Sequence, residues 1–277
     1  MSSLVVNTNL SAINAYNNLN QTDSAMSSAI SKLSSGLQIQ TAADNPAGYV
    51  VSQALEAQTN GYQQAVSNAQ NGVSLIQTAS GALNQIASIL QTMDQLALSS
   101  SNSATTDGNA MSANQQEFQA LQNQIDQIAN TTSFGTTNLL NGSFTGTLQV
   151  GAFNYSSQQI TVSIDSVTTG SLGVATTAVS VGNVASAQAA ITAVQSAITQ
   201  VATIEAQLGA TQNQLQAVVD NLPVGQQNLT AAYSGLVNVN FAQETTQFST
   251  DQILMQSGVA MLSQAQQTPS LVLKLLG

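Results

Sequence analysis

The sequence predicts a mostly α-helical protein in which both chain ends form long, coiled-coil-like helices and a small β-hairpin lies in the middle. Apolar residues recur with steps of three and four over long stretches on both sides of the chain centre, which is typical of helices that pack side by side. Around residue 150 the period changes to two, which is typical of strands. These two observations fix the predicted fold class.

The longest helical repeat runs from Ala65 to Ala97 with alternating steps of four and three. A second block covers 118–128, and a third begins near residue 191. The third block skips two heptad positions, which are filled by Glu205 and Gln212. The Glu205 carboxylate either sets the helix register or reaches the edge of the seam. A generic helical bundle is the alternative interpretation. The predicted outer helix seam consists of Ile76, Leu83, Ile86, Leu90, Met93, Ile198, Val201, Leu208 and Leu215.

The middle of the chain contains two alternating runs, which predict a β-hairpin near 148–164. Residues 166–185 follow no clear period and are predicted to form a short surface loop. Pro46 is expected to start a helix. Pro223 is expected to end or kink the third helical block near Leu222, because proline removes a helix hydrogen bond.

Each chain end carries a further apolar stripe at helical spacing, on a background of Ser, Asn and Gln. An isolated amphipathic helix of this kind is marginal in water, so we expect both ends to be disordered in a lone subunit and to fold by packing against other copies of the chain. The predicted packing residues of the terminal helices are Met26, Ile30, Leu33, Leu37, Leu254, Met261 and Leu262.

The composition excludes several classes of function. The chain has 12 acidic and 2 basic residues, no His and no Cys. Without Cys and His it lacks thiolate, disulfide and imidazole chemistry. Two basic residues cannot neutralise the negative charge of a nucleic-acid backbone or of an anionic membrane surface. No run is long and apolar enough to span a bilayer, and the first residues do not resemble a cleaved signal peptide. We predict no catalytic, cofactor or metal site, no nucleic-acid partner and no membrane insertion.

Three strings carry a family resemblance. LSSGLQIQTAADNPAG at 33–48, NAQNGVSLIQTASGALN at 68–84 and QILMQSGVAMLSQAQQTPSLVLKLL at 252–276 resemble the terminal regions of bacterial flagellins. The resemblance is collinear along nearly the whole chain. It implies a minimal flagellin that lacks the large outer surface domains.

The resemblance implies a domain organisation. Residues 1–42 with 236–277 would form an inner-core helical domain, and 43–165 with 186–235 an outer-tube helical domain that carries the hairpin. The loop at 166–185 would replace the variable domains.

The implied function is that of a structural subunit, not an enzyme, which polymerises into the extracellular flagellar filament for motility. It would be exported without a cleaved signal peptide, and its partners would be other copies of itself, an export chaperone, the cap and the hook-junction proteins. The alternatives are the hook–filament junction protein and a secreted helical adhesin.

The resemblance also implies two sets of site residues. Val150, Ile160 and Val162 of the hairpin would form a packing switch. The positions that an immune receptor reads in flagellins correspond to Thr92, Leu96 and Glu117, with Thr92 in place of the usual Arg, so we expect weak recognition. The scarcity of charge has three open explanations: an acidic habitat, lineage drift, or a polymer held by hydrogen-bonded and apolar contacts.

Overall fold

The computed structural model describes residues 8–102, 104 and 106–276, with side chains up to residue 267. The described chain contains five helices: α1 Leu10–Ser35, α2 Pro46–Ser100, α3 Gly108–Thr131, α4 Val184–Val237 and α5 Phe241–Leu276. Long helices from both halves and a small β region between them confirm the predicted fold class.

The helix ends follow local capping chemistry. α2 starts at Pro46, as predicted, and the Asn45 side chain accepts a hydrogen bond from the Gly48 amide at 2.9 Å. Asp107 caps α3 by accepting from the Ala110 amide at 2.7 Å. α1 ends at Gly36, whose left-handed backbone (φ 76°) suits a residue without a Cβ.

Two small antiparallel sheets separate α3 from α4. β1 Ser133–Phe134 pairs with β2 Thr137–Asn138, a bridge that the sequence did not predict. β3 Thr145–Gln149 pairs with β4 Gln159–Ser163, which is the predicted hairpin. A single 3₁₀ turn, Ser156–Gln158, precedes β4.

The chain divides into two compact units. The terminal unit comprises the described residues up to 57 and from 228 onward, and the central unit comprises 58–227. α2 and α4 each contribute to both units. The terminal unit is larger than the inner-core domain expected from the sequence, which was limited to 1–42 and 236–277.

The central unit contains the main hydrophobic core. Of the predicted seam residues, Ile198 is half-buried and the others are buried. Ile204, next to Glu205, is also buried, whereas Glu205 itself is half-buried. Ile204 therefore supplies the apolar contact between Val201 and Leu208, and the carboxylate sits beside the seam.

The structure differs from the sequence prediction at Pro223. α4 does not end near Leu222 but continues through Pro223 to Val237. The proline is exposed, so its ring meets solvent. The helix thus passes a residue that ordinarily costs a helix interior about 3 kcal/mol.

The structure also differs from the prediction that 166–185 forms only a surface loop. The segment has no regular structure before α4, and most of its polar residues are exposed or half-buried, whereas Thr169 is buried. Several of its apolar residues belong to the hydrophobic core. The buried members are Val167, Leu172, Val174, Val179 and Val181.

Candidate assembly surfaces

The terminal unit is built on an antiparallel pair of α1 and α5. The side-chain amide of Asn9, at the start of α1, donates to the carbonyl of Ala265, far along α5, at 2.7 Å. Further along α1, Leu19 lies against Gly258 so closely that a Cβ there would be 3.0 Å from the Leu19 Cδ1. The small Gly258 therefore allows the two helices to approach each other.

A short hydrogen-bonded ladder joins the two linkers at one end of this pair. The Gln38 amide donates to the Val237 carbonyl at 2.7 Å, and the Val239 amide donates to the Gly36 carbonyl at 2.9 Å. Ile39, Val237 and Val239 are buried beside it. The linkers before α2 and before α5 are thus held as one piece.

Asp44 closes the linker between α1 and α2. Its Oδ2 accepts from the Thr41 amide at 2.8 Å, the Gln40 amide at 3.1 Å and the Thr41 hydroxyl at 3.1 Å. These bonds, first of all the one from the Thr41 amide, lower the pKa of the Asp44 carboxyl, with a small further effect from Lys32. The ionised carboxylate therefore organises this turn.

The α1–α5 pair leaves much of its apolar surface in solvent. Among the packing residues predicted for the chain ends, Ile30, Leu254 and Met261 are exposed, with Met261 at 65%. Met26, Leu33, Leu37 and Leu262 are half-buried. Ala29, the neighbour of Ile30 on α1, is buried. Other large apolar residues exposed on these helices are Leu10, Ile13, Tyr16, Phe241, Ile253 and Val259.

One carboxylate of α5 is buried. Asp251 is 4% exposed, and its Oδ1 accepts from the Gln247 side chain at 3.1 Å. Its Oδ2 has no hydrogen-bond partner among the described residues. This burial could not be predicted from the sequence, because an acidic residue in a polar helix is normally solvated.

The three predicted switch residues of the hairpin face the hydrophobic core of the central unit, to which the hairpin itself belongs. Val150 and Val162 are buried, and Ile160 is half-buried against the same core. Leu148, on β3, lies so close to Gly72 of α2 that a Cβ there would overlap it. The hairpin is therefore anchored on α2 by a glycine, a device that the sequence analysis did not identify.

The hairpin turn is braced by glutamine side chains. The Gln149 side chain donates from its Nε2 to the backbone carbonyl of Phe153 at 2.7 Å. The Gln158 side-chain oxygen, Oε1, accepts from the backbone amide of Phe153 at 2.8 Å. The braced turn presents two exposed rings, Phe153 and Tyr155, with centroids 5.9 Å apart.

Polar side chains of α3 hold the segment that leads to α4. The buried side chain of Gln122 donates a hydrogen bond from its Nε2 to the Val174 carbonyl at 2.6 Å. Gln115 accepts from the Val181 amide at 2.5 Å. Asp126 accepts from the Thr169 amide and hydroxyl, both at 2.8 Å. These contacts fix the backbone of the segment, which explains why its apolar side chains point inward.

The predicted receptor-contact residues lie on α2 and α3 of the central unit. Thr92 is half-buried, and its hydroxyl donates to the Ser88 carbonyl at 3.1 Å. Leu96 is half-buried against the core, and Glu117 is exposed.

No group of three or more acidic, His or Cys residues that could hold a metal occurs among the described residues. Within the same residues, no helix is long and apolar enough to cross a membrane.

Comparison with known proteins gives the family. The Bacterial flagellin N-terminal helical region matches residues 6–145, and the Bacterial flagellin C-terminal helical region matches 191–276. The flagellin of Halalkalibacterium halodurans is 39% identical over 274 residues, which cover 99% of this chain and 100% of the relative. The flagellin of Bacillus subtilis is 36% identical over 303 residues, covering 98% of this chain and 99% of the relative.

A solved structure agrees with the sequence relatives. The crystal structure of Bacillus cereus flagellin has a TM-score of 0.50 and 25% identity, and the match covers 56% of this chain and 88% of that one. End-to-end matches to flagellins favour a filament subunit over the junction protein and the adhesin. With its helical fold and both terminal regions matched, the chain belongs to the bacterial flagellins, the structural proteins that polymerise into the extracellular filament for motility.

Proposed function

We propose that copies of this flagellin join through the terminal unit, with α1 and α5 packing against the same helices of neighbouring copies to form the inner core of the filament. The central unit then forms the outer tube. The observation that carries this proposal is the exposed apolar surface of the α1–α5 pair. Large exposed apolar patches mark interaction surfaces, and burying them stabilises helices that are marginal alone.

The assembly is open and head-to-tail, because a helical tube grows without closing on itself. In this role the chain needs no catalytic residue, cofactor or metal, binds no nucleic acid and inserts into no membrane. By family resemblance, it is exported without a cleaved signal peptide, and its further partners are an export chaperone, the filament cap and the hook-junction proteins.

The hairpin is the proposed packing switch. A switch between two filament packings needs an element with discrete arrangements rather than a soft one. Val150, Ile160 and Val162 support this role because they dock the hairpin on the core, where close packing resists intermediate positions.

Receptor recognition is proposed to be weak. Leu96 and Glu117 match the family's contact positions, but Thr92 offers a hydroxyl already donated to the Ser88 carbonyl where flagellins carry a guanidinium. Thr92→Arg should raise activation of the vertebrate flagellin receptor in a reporter-cell assay, with Thr92→Ser as the matched control. Equal activation by both variants would refute this role.

Substitution of one exposed residue of α5 tests the assembly proposal. Met261→Asn should raise the critical concentration for growth on sheared filament seeds by about tenfold or more, since a buried Met contributes about 1.5–3 kcal/mol. Met261→Leu, which keeps an apolar side chain of similar volume, should grow like the parent. Circular dichroism of each subunit checks that the helices are retained. Normal growth of the Asn variant would contradict the proposal.

A further inference from the structure

The charges of the chain are distributed unevenly between its two units. Lys32 and Lys274 are the only basic residues, and both belong to the terminal unit. The central unit, 58–227, has no Lys, Arg or His. It contains seven carboxyl side chains: Asp94, Asp107, Glu117, Asp126, Asp165, Glu205 and Asp220.

The carboxyls of the central unit meet only neutral groups within that unit. Asp126 is bonded to Thr169, Asp107 to the Ala110 amide, and Asp220 to the Gln216 side chain at 3.0 Å. Glu117 and Asp165 are exposed. Because the unit has no cation, central units of adjacent copies cannot form an ion pair with each other.

The terminal unit is also acidic. Its described charged side chains are Asp23, Asp44, Glu56, Glu244 and Asp251, together with Lys32. The exposed apolar residues of α1 and α5 therefore assemble in a field of net negative charge, which totals −10 for the whole chain at pH 7.

We propose that contacts between copies strengthen as the pH falls from 7 to 3, so that this filament is suited to assembly in acid. The inference rests on the proposed assembly through the terminal unit. Carboxyl side chains in general titrate near pH 4. As they are protonated, the central unit loses its side-chain charge, and the net charge of the whole chain moves from −10 towards that of its two lysines. Asp44 of the terminal unit, whose pKa is lowered, keeps its charge to a lower pH than an ordinary carboxyl.

The size of the effect follows from Coulomb's law. Repulsion between identical copies scales with the square of the net charge, so complete protonation of the carboxyls, from −10 to +2, sets a limit of about 25-fold on its decrease. An average domain with about 25% charged residues behaves in the opposite way, because acid removes its anions and leaves many cations. In this chain, acid breaks no ion pair within the central unit, since that unit has none to break.

Seeded growth at two pH values tests the inference. Purified full-length subunits are added to sheared filaments at pH 7 and pH 3, in 10 mM and in 1 M salt, and the critical concentration is measured by sedimentation. In 10 mM salt, where charges interact over about 30 Å, we expect it to be at least about fivefold lower at pH 3 than at pH 7. In 1 M salt the critical concentrations at pH 7 and pH 3 should approach each other, because salt screens the repulsion between carboxylates at pH 7 and protonation then has little left to remove.

Two matched variants separate charge from shape. Each replaces six exposed glutamines of the central unit, once by lysine and once by glutamate: Gln77, Gln85, Gln95, Gln116, Gln124 and Gln207. In 10 mM salt, the lysine variant should grow better than the parent at pH 7 and worse at pH 3. The glutamate variant should grow worse at pH 7 and like the parent at pH 3. Circular dichroism at each pH checks that the helices persist.

The outcomes are distinct. A crossing of the lysine and glutamate variants with pH supports the inference. Filaments that grow at pH 7 but dissolve at pH 3, or variants that fail equally at both pH values, overturn it. Absence of growth at both pH values and both salt concentrations, with intact termini, would instead overturn the proposed assembly on which it rests.

Discussion

The terminal and central units of this flagellin bury their apolar residues to very different extents. In the central unit, the seam of α2 packs with α3, α4 and the hairpin into a continuous core. In the terminal unit, the buried apolar residues are few and mostly small, such as Ala29 and Val237, while Ile253 and Met261 stay exposed. We infer that the central unit is stable as a single chain, and that the terminal unit reaches comparable stability only in contact with other copies.

The largest predicted effect comes from truncating the central core. Phe118 of α3 is fully buried, so Phe118→Ala should lower the free energy of unfolding of the subunit by about 3–5 kcal/mol. Ile253→Ala is the matched control, because Ile253 is 63% exposed and its truncation should change subunit stability by less than about 0.5 kcal/mol. Urea denaturation of both monomers measures the difference.

The contrast sharpens if the same two variants are then assembled on seeds. Ile253→Ala should impair filament growth although the monomer is unchanged. Equal loss of monomer stability in both variants would show that the face of α5 that carries Ile253 is already covered in the free subunit.

A smaller effect is expected where α3 holds the segment before α4. Gln122→Leu leaves the buried Val174 carbonyl without its donor, so it should destabilise the subunit by about 1–3 kcal/mol and increase protease cleavage within 168–181. Gln119→Leu, at an exposed position of the same helix, is the control. Unchanged cleavage in Gln122→Leu would mean that inward packing of Val174 and Val179 alone fixes the segment.

The smallest predicted effect concerns the Asp44 turn of the terminal unit. Because the folded turn lowers the pKa of Asp44, its contribution to stability is present above the ordinary value of 3.8 and is lost as the pH falls through the lower folded value. Between pH 6 and pH 3, the parent should therefore lose more thermal stability in this unit than Asp44→Asn does. An equal loss of thermal stability in both proteins would show that the ionised Asp44 carboxylate does not stabilise this turn.

The sequence predicted the seam well because its period is long and regular. The heptad steps from Ala65 to Ala97 correspond to buried positions of α2 throughout. The course of α4 through Pro223 was not predicted, because the local rule that proline ends or kinks a helix describes a preference, and α4 is an exception to it. The inward side of 166–185 was also missed, since its burial depends on distant donors and acceptors, such as Gln122 and Asp126.

In the assembly surfaces too, features that depend on contacts with other parts of the chain could not be predicted from the sequence. The stripe of Met26 and Leu33 signalled a helix face, but not that its continuation at Ile30 would be exposed. The burial of Asp251 has no sequence signal, because a lone carboxylate in a polar helix is ordinarily solvated.

Amide hydrogen exchange on the free subunit and on the filament tests the central claim most directly. We expect slow exchange in the central unit, for example along 76–93 of α2, in both forms. In α1 and α5 we expect fast exchange in the free subunit and slow exchange in the filament, since their apolar surface is covered only there. Equally slow exchange of α1 and α5 in the free subunit would contradict the account.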